Sequence, residues 1–150
     1  MKSFTKLLAG ISCLSISFFS CEKESVKIDK ENSFNVQFKS TIDESVVLKN
    51  DQENILIQVK NINDKRCSGH LDCSDPGVAT VRFKLSNRKN AEAESLLFLG
   101  AIEGQHKLKD SVNVRLDNSW YTVTLHKVNP HPMADSTEVQ TAEMCVKRKL

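Results

Sequence analysis

Asp64-Lys-Arg-Cys67-Ser-Gly-His70-Leu-Asp72-Cys73-Ser-Asp75-Pro-Gly77-Val-Ala79-Thr-Val81-Arg-Phe83-Lys-Leu85 joins two unlike halves. In the second half Ala79, Val81, Phe83 and Leu85 alternate with Thr80, Arg82 and Lys84. Successive side chains of an extended chain point to opposite faces, so this spacing gives one apolar face and one polar face. That is a half-buried strand, and its β-branched and aromatic content suits a pleated surface. The first half is a loop holding two thiols, closed by the turn dipeptide Pro76-Gly77.

Outward from this strand the period of two recurs. Upstream, Phe34, Val36 and Phe38 form one alternating run, Ser45 to Lys49 a second, and Ile55, Ile57 and Val59, continuing to Ile62, a third. Asn50-Asp51 supplies turn chemistry between the last two. Downstream, Asn87 to Glu94 has the propensity for a helical turn, Ser95 to Ile102 reads as a central strand, and Gly100 to Asp110 as a loop. Val112, Val114 and Leu116 pair with Tyr121, Val123 and Leu125 across Asp117-Asn118-Ser119 as a hairpin. Val128-Asn-Pro-His-Pro132 stops that strand, because proline cannot donate to a ladder. Ala142, Met144 and Val146 mark a last strand. No long helical period appears after the N-terminal segment, so the expected fold is all-β. It is an immunoglobulin-like antiparallel β-sandwich of seven or eight strands, spanning residues 34–150.

The N-terminal segment has different chemistry. Lys2 and Lys6 precede an apolar run from Leu7 to Phe19, a secretory-signal pattern too short to span a bilayer. Phe18-Phe19-Ser20-Cys21 resembles the lipobox of bacterial lipoproteins, with Phe18 where that motif usually has Leu. Glu22-Lys23-Glu24 resembles the charged leader of lipoproteins from Bacteroidota-type bacteria. The resemblance implies a signal peptide over 1–20, lipidation of Cys21 and a location in the bacterial cell envelope. It points to the outer membrane, on its periplasmic or surface face. Residues 21–33, polar and charged, are read as a tether. Without residues 1–20 the chain keeps 19 basic residues (21 less Lys2 and Lys6) against 19 acidic ones. That balance argues against a nucleic-acid partner, which needs a basic excess.

Cys67, Cys73 and Cys145 remain for redox chemistry. In an oxidising envelope Cys67 and Cys73 form a local disulfide, although three thiols allow three pairs and Cys145 could replace either partner. Cys145 lies out of phase with Ala142, Met144 and Val146 and should point away from their face, as a free thiol or an intermolecular bridge. The same loop reads Cys67-x-x-His70-x-x-Cys73, flanked by Asp64, Asp72 and Asp75. Two thiolates and an imidazole suit zinc, and the aspartates suit calcium, so a metal-binding sensor or hydrolase is the alternative. Aspartates beside turns more commonly cap the backbone.

No catalytic motif converges. Gly-x-Ser-x-Gly, His-Glu-x-x-His and glycine-rich phosphate loops are absent, and His106, His126 and His131 are scattered in sequence. No catalytic residue and no cofactor is expected. Trp120 and Tyr121 are the chain's only Trp and Tyr. Tyr121 is in phase with the core, whereas Trp120 faces the other way with Thr122, Thr124 and His126. There it either covers that face or serves as a ligand platform.

Ile57-Gln-Val-Lys-Asn-Ile-Asn-Asp-Lys-Arg-Cys67, then Cys73, then Gly77-Val-Ala-Thr-Val-Arg-Phe83 resembles a family of small bacterial lipoproteins. Trp120-Tyr-Thr-Val-Thr-Leu-His-Lys-Val-Asn-Pro-His-Pro132 is similar to that family's later signature. Asp75 stands where the family usually has Trp. The resemblance implies a β-rich lipoprotein domain and no particular activity. The resulting expectation is a non-catalytic binding or interaction module, held to a membrane by its lipid. His70, Asp72, Asp75 and Trp120 are its candidate contacts for an envelope protein or a glycan.

Overall fold

The computed structural model describes residues 29–67, 74–132 and 137–149. The segment expected to be a signal peptide, Cys21 with its expected lipidation, most of the expected tether, and His70, Asp72 and Cys73 lie outside the described residues.

The described residues form an all-β sandwich of two facing sheets, immunoglobulin-like in its layering. Ten strands are present among the described residues: β1 (Lys30–Ser33), β2 (Phe38–Ser40), β3 (Ser45–Lys49), β4 (Asn54–Asp64), β5 (Val78–Asn87), β6 (Glu92–Ile102), β7 (Gln105–Lys107), β8 (Asp110–Leu116), β9 (Ser119–Asn129) and β10 (Thr141–Lys149). The larger sheet has the order β1-β3-β4-β5-β6-β7 and the smaller β2-β10-β9-β8. Most neighbours are consecutive hairpins, so local turn chemistry sets most of the pairing.

The strand count exceeds the expected seven or eight because two short strands, β1 and β7, carried little or no apolar signal. β1 falls inside the stretch assigned to the tether. It pairs in parallel with β3, Lys30 opposite Val46 and Ser33 opposite Lys49, and ion pairs Lys49–Glu31 and Lys30–Glu44 flank it. An edge strand that buries no apolar side chain gains through its backbone alone, so polarity could not reveal it. The run from Phe34 to Phe38 is broken at Asn35, whose φ of 65° is left-handed and which donates its N–H to Val146 O at 2.9 Å. Phe34 and Phe38 are both buried while the chain crosses from the larger sheet to the smaller. β7 lies within the expected loop, as a hairpin across Glu103-Gly104, both at positive φ. The expected helical turn at Asn87 to Glu94 is instead a β-turn. Asn87 Oδ1 accepts the N–H groups of Lys89 and Ala91, and β6 starts at Glu92.

The core is the interface between the two inner faces. From β5 come Ala79, Val81, Phe83 and Leu85, all fully buried, as their alternation required. Opposite them Tyr121, Val123, Leu125, Met144 and Val146 line the smaller sheet. Two bulges reset the phase. One between Val59 and Asn61 on β4 lets Ile62 rejoin the face of Ile55, Ile57 and Val59. The other leaves His126 as the extra residue of β9 opposite Glu143 and Met144, so that Leu125 and Val128 are both buried. An extra residue in one strand shifts every following side chain by one position, which turns a spacing of three into a shared face. Among the described residues no helix is long and apolar enough to cross a membrane.

Candidate functional site

Two recesses lie at opposite ends of β9, one beside Trp120 at its start and one beside His126 near its end.

The first is built by three asparagine-bearing turns that the topology brings to one end of the sandwich. Between β3 and β4, Asn50 Oδ1 accepts the N–H groups of Gln52 at 2.9 Å and Glu53 at 2.8 Å, which closes that loop on itself. Between β5 and β6, Asn87 Nδ2 donates across to the carboxylate of Asp117. Asp117 belongs to the β8–β9 turn, where its φ of 53° is left-handed. Tyr121 OH donates to Glu53 Oε2 at 2.7 Å and ties the first loop to the smaller sheet. Burial and this bond to a carboxylate push the Tyr121 phenol up to about 12. Arg148 Nε lies 3.2 Å from Glu53 Oε1, an ion pair without good hydrogen-bond geometry, and its Nη1 donates to Gln52 Oε1 at 2.6 Å.

This network holds the wall of an open recess of about 690 Å³, lined by Gln52, Asn113, Asn118, Ser119, Trp120, Arg148 and Lys149. Trp120 is 47% exposed and stands between Arg115 and Lys149 in the cross-strand register. About half of the indole surface is thus open on this face, and the rest lies against it. A half-exposed indole beside amides and cations offers one apolar plane and several directional donors and acceptors. Nucleophile, base and oxyanion donors do not converge there.

The second recess, about 550 Å³, is lined in part by Arg66, Cys67, His106, His126 and His131. The three scattered histidines thus meet beside the cysteine loop, a convergence invisible in the sequence because it requires β6–β7, β9 and the loop to share one end. Burial holds the His126 imidazole below its ordinary range, and the neighbouring Lys109 acts in the same direction. Gln37 Nε2 lies 3.3 Å from His126 Nδ1. Among the described residues, no group of three or more His, Cys, Asp or Glu side chains is arranged to hold a metal ion.

The described residues of the cysteine loop have structural partners. Asp64 is fully buried at its carboxylate and is held by Arg66, whose Nε donates to Oδ1 at 2.8 Å and whose Nη2 donates to Oδ2. The same Nη2 donates to Val128 O at 2.8 Å, which links the loop to β9 in the opposite sheet. Asp75 Oδ1 accepts the Gly77 N–H at 2.9 Å, a turn cap. Cys67 is disulfide-bonded, with its partner outside the described residues, and so presents no thiolate to a metal. Cys145 is a free thiol and buried, although its row points outward from the smaller sheet. Its cross-strand neighbour Thr124 is buried with it.

Comparison of the chain with protein-family models, with curated proteins and with solved structures found no match.

Proposed function

We propose that this chain is a non-catalytic binding module of the bacterial envelope, and that its ligand is a glycan seated on Trp120. The observation that carries this reading is the half-exposed Trp120 ring in a recess lined by Gln52, Asn113 and Asn118. A sugar ring has an apolar face of C–H groups and a rim of hydroxyls. An indole plane meets the first and side-chain amides meet the second. The recess is also held in place before any ligand arrives, because Asn50, Tyr121 and Arg148 tie down its loop, and a preformed site binds at lower entropic cost.

Attachment to the outer membrane through a lipidated Cys21 belongs to the same proposal and rests on the lipobox resemblance. So does the pairing of Cys67 with Cys73, the nearest thiol in sequence.

Calorimetric titration against a panel of defined oligosaccharides tests the reading. Trp120→Ala is expected to weaken binding by at least about tenfold, the order of one lost stacking contact. Unchanged binding in that variant, with its thermal unfolding midpoint preserved, would exclude Trp120 as the platform.

A further inference from the structure

The outward face of the smaller sheet is asymmetric in charge. Lys147 and Lys149 on β10, Lys127 on β9 and Arg115 on β8 alternate with buried residues and therefore point away from the core. Lys39 on β2 lies opposite Glu143, and Lys109 directly precedes β8. All six are exposed, and among the described residues none has an ion-pair partner. On the outside of the larger sheet the lysines are paired, and Arg82 on β5 is exposed without an ion-pair partner among the described residues. Lys49 is paired with Glu31, Lys60 with Asp43 and Lys84 with Glu92. The chain has nearly balanced charge, so six unpaired cations on one face mean that its acids are placed elsewhere. Glu143 is the acid in these rows, opposite Lys39 and Lys127.

Between the cations the face is paved with hydroxyls and amides. Thr122 Oγ1 donates to Asn113 Oδ1 at 2.8 Å, and the Ser111 and Thr124 hydroxyls bond at 2.9 Å. These rows start at Trp120 and run along the sheet toward His126.

We infer that the ligand is an acidic glycan, one whose sugars carry carboxylate or sulfate groups, lying along this face from Trp120 toward Lys39 and Lys109. The inference rests on the reading of Trp120 as a sugar platform and adds the charge of the ligand. Each exposed cation contributes little to a single anion in water. A repeating anionic chain meets several of them at once, with outward neighbours on one strand about 7 Å apart. A polyanion also speeds encounter through the summed field. A nucleic acid would also match the charge, but single-strand binders use several aromatic platforms for successive bases. This face has one, with hydrogen-bonding rungs beyond it. An anionic membrane would call for several apolar side chains to insert beside the lysines, and beyond the single Trp120 the rows supply hydroxyls instead.

The test is a titration of the full chain followed by Trp120 fluorescence, the protein's only indole. The probes are oligogalacturonate, a sulfated oligogalactan, a neutral oligogalactan of the same length, phosphatidylglycerol vesicles and oligothymidylate. The expected result is binding of one or both acidic glycans at least about tenfold tighter than the neutral one, and weakened by salt. The arm that binds tells carboxylate from sulfate. Lys147→Gln/Lys149→Gln should lose that preference while keeping the unfolding midpoint of the parent, and Arg115→Gln provides a second variant on another strand. Equal, salt-insensitive binding of neutral and acidic oligosaccharides would overturn the acidic inference and leave the Trp120 platform standing. Tighter binding of vesicles or oligothymidylate would overturn it in favour of that partner. Absence of any glycan response would overturn both readings together.

Discussion

Asp64 and Arg66 show how a residue-level reading changes once neighbours are known. In the sequence Asp64 belonged to a set of three aspartates suited to calcium. In the fold its carboxylate is fully buried and bonded to Arg66, which reaches on to Val128 O. Deleting one member of a buried pair strands the other charge, so Arg66→Met should destabilise the protein by about 3 kcal/mol in urea unfolding. Asp64→Asn/Arg66→Met should recover part of that loss. Tyr121 gives a second test, clean because the chain has no other tyrosine. With its phenol pushed up to about 12 from an ordinary 10, the folded protein keeps a proton that the unfolded chain releases. Stability from this group is full below pH 10 and declines as pH rises through the folded value. Tyrosinate absorbance should therefore appear near pH 12 in the native protein and near 10 in denaturant. His126 has the opposite sign. Burial and Lys109 hold it below 6.5 against the pull of Glu143, so the unfolded chain takes up the proton first. Stability is full above pH 6.5 and falls as pH drops through the folded value. As pH drops through this range the urea midpoint of the wild type should fall more than that of His126→Gln, which lacks the titrating group.

At the scale of elements, the strands with strict alternation were legible and the short edge strands were not. β5 was readable because Ala79, Val81, Phe83 and Leu85 each bury a side chain, and burial is what alternation reports. β1 and β7 are held by backbone pairing, to which side-chain polarity is blind. Bulges are equally silent, since the sequence does not say where an extra residue will be accommodated. The entry into β5 depends on Gly77. Its φ of 66° is left-handed, and a Cβ there would stand 1.9 Å from Lys65 O. Gly77→Ala should cost on the order of 3 kcal/mol, from conformational strain and the displaced 64–67 segment together, measured by thermal unfolding. Asn50→Ala tests the loop beneath the Trp120 recess. It removes the side-chain oxygen that accepts the Gln52 and Glu53 N–H groups at 2.9 and 2.8 Å, and should weaken ligand binding more than it lowers the unfolding midpoint.

At the scale of the whole molecule, the inter-sheet contact of Arg66 with Val128 O secures the end of the sandwich opposite the Trp120 recess. If Cys67 pairs with Cys73, intact-mass analysis will show a native mass two hydrogens below the reduced one, mapped to that loop. Reduction should then cost about 2 kcal/mol, because the closed loop is short. The Trp120 recess, at the far end, should keep its ligand affinity after reduction. The sequence by itself determined the all-β class, the central hairpins and which side chains enter the core. Those properties follow from the two-residue period and from local turn chemistry, which act between near neighbours in the chain. Only the tertiary structure decided that turns at Asn50, Asn87 and Asp117 share one end, that three histidines share the other, and that six cations without an ion-pair partner among the described residues lie on one face. The physical reason is that strand order and register bring together residues tens of positions apart, and no local pattern encodes which strands will become neighbours.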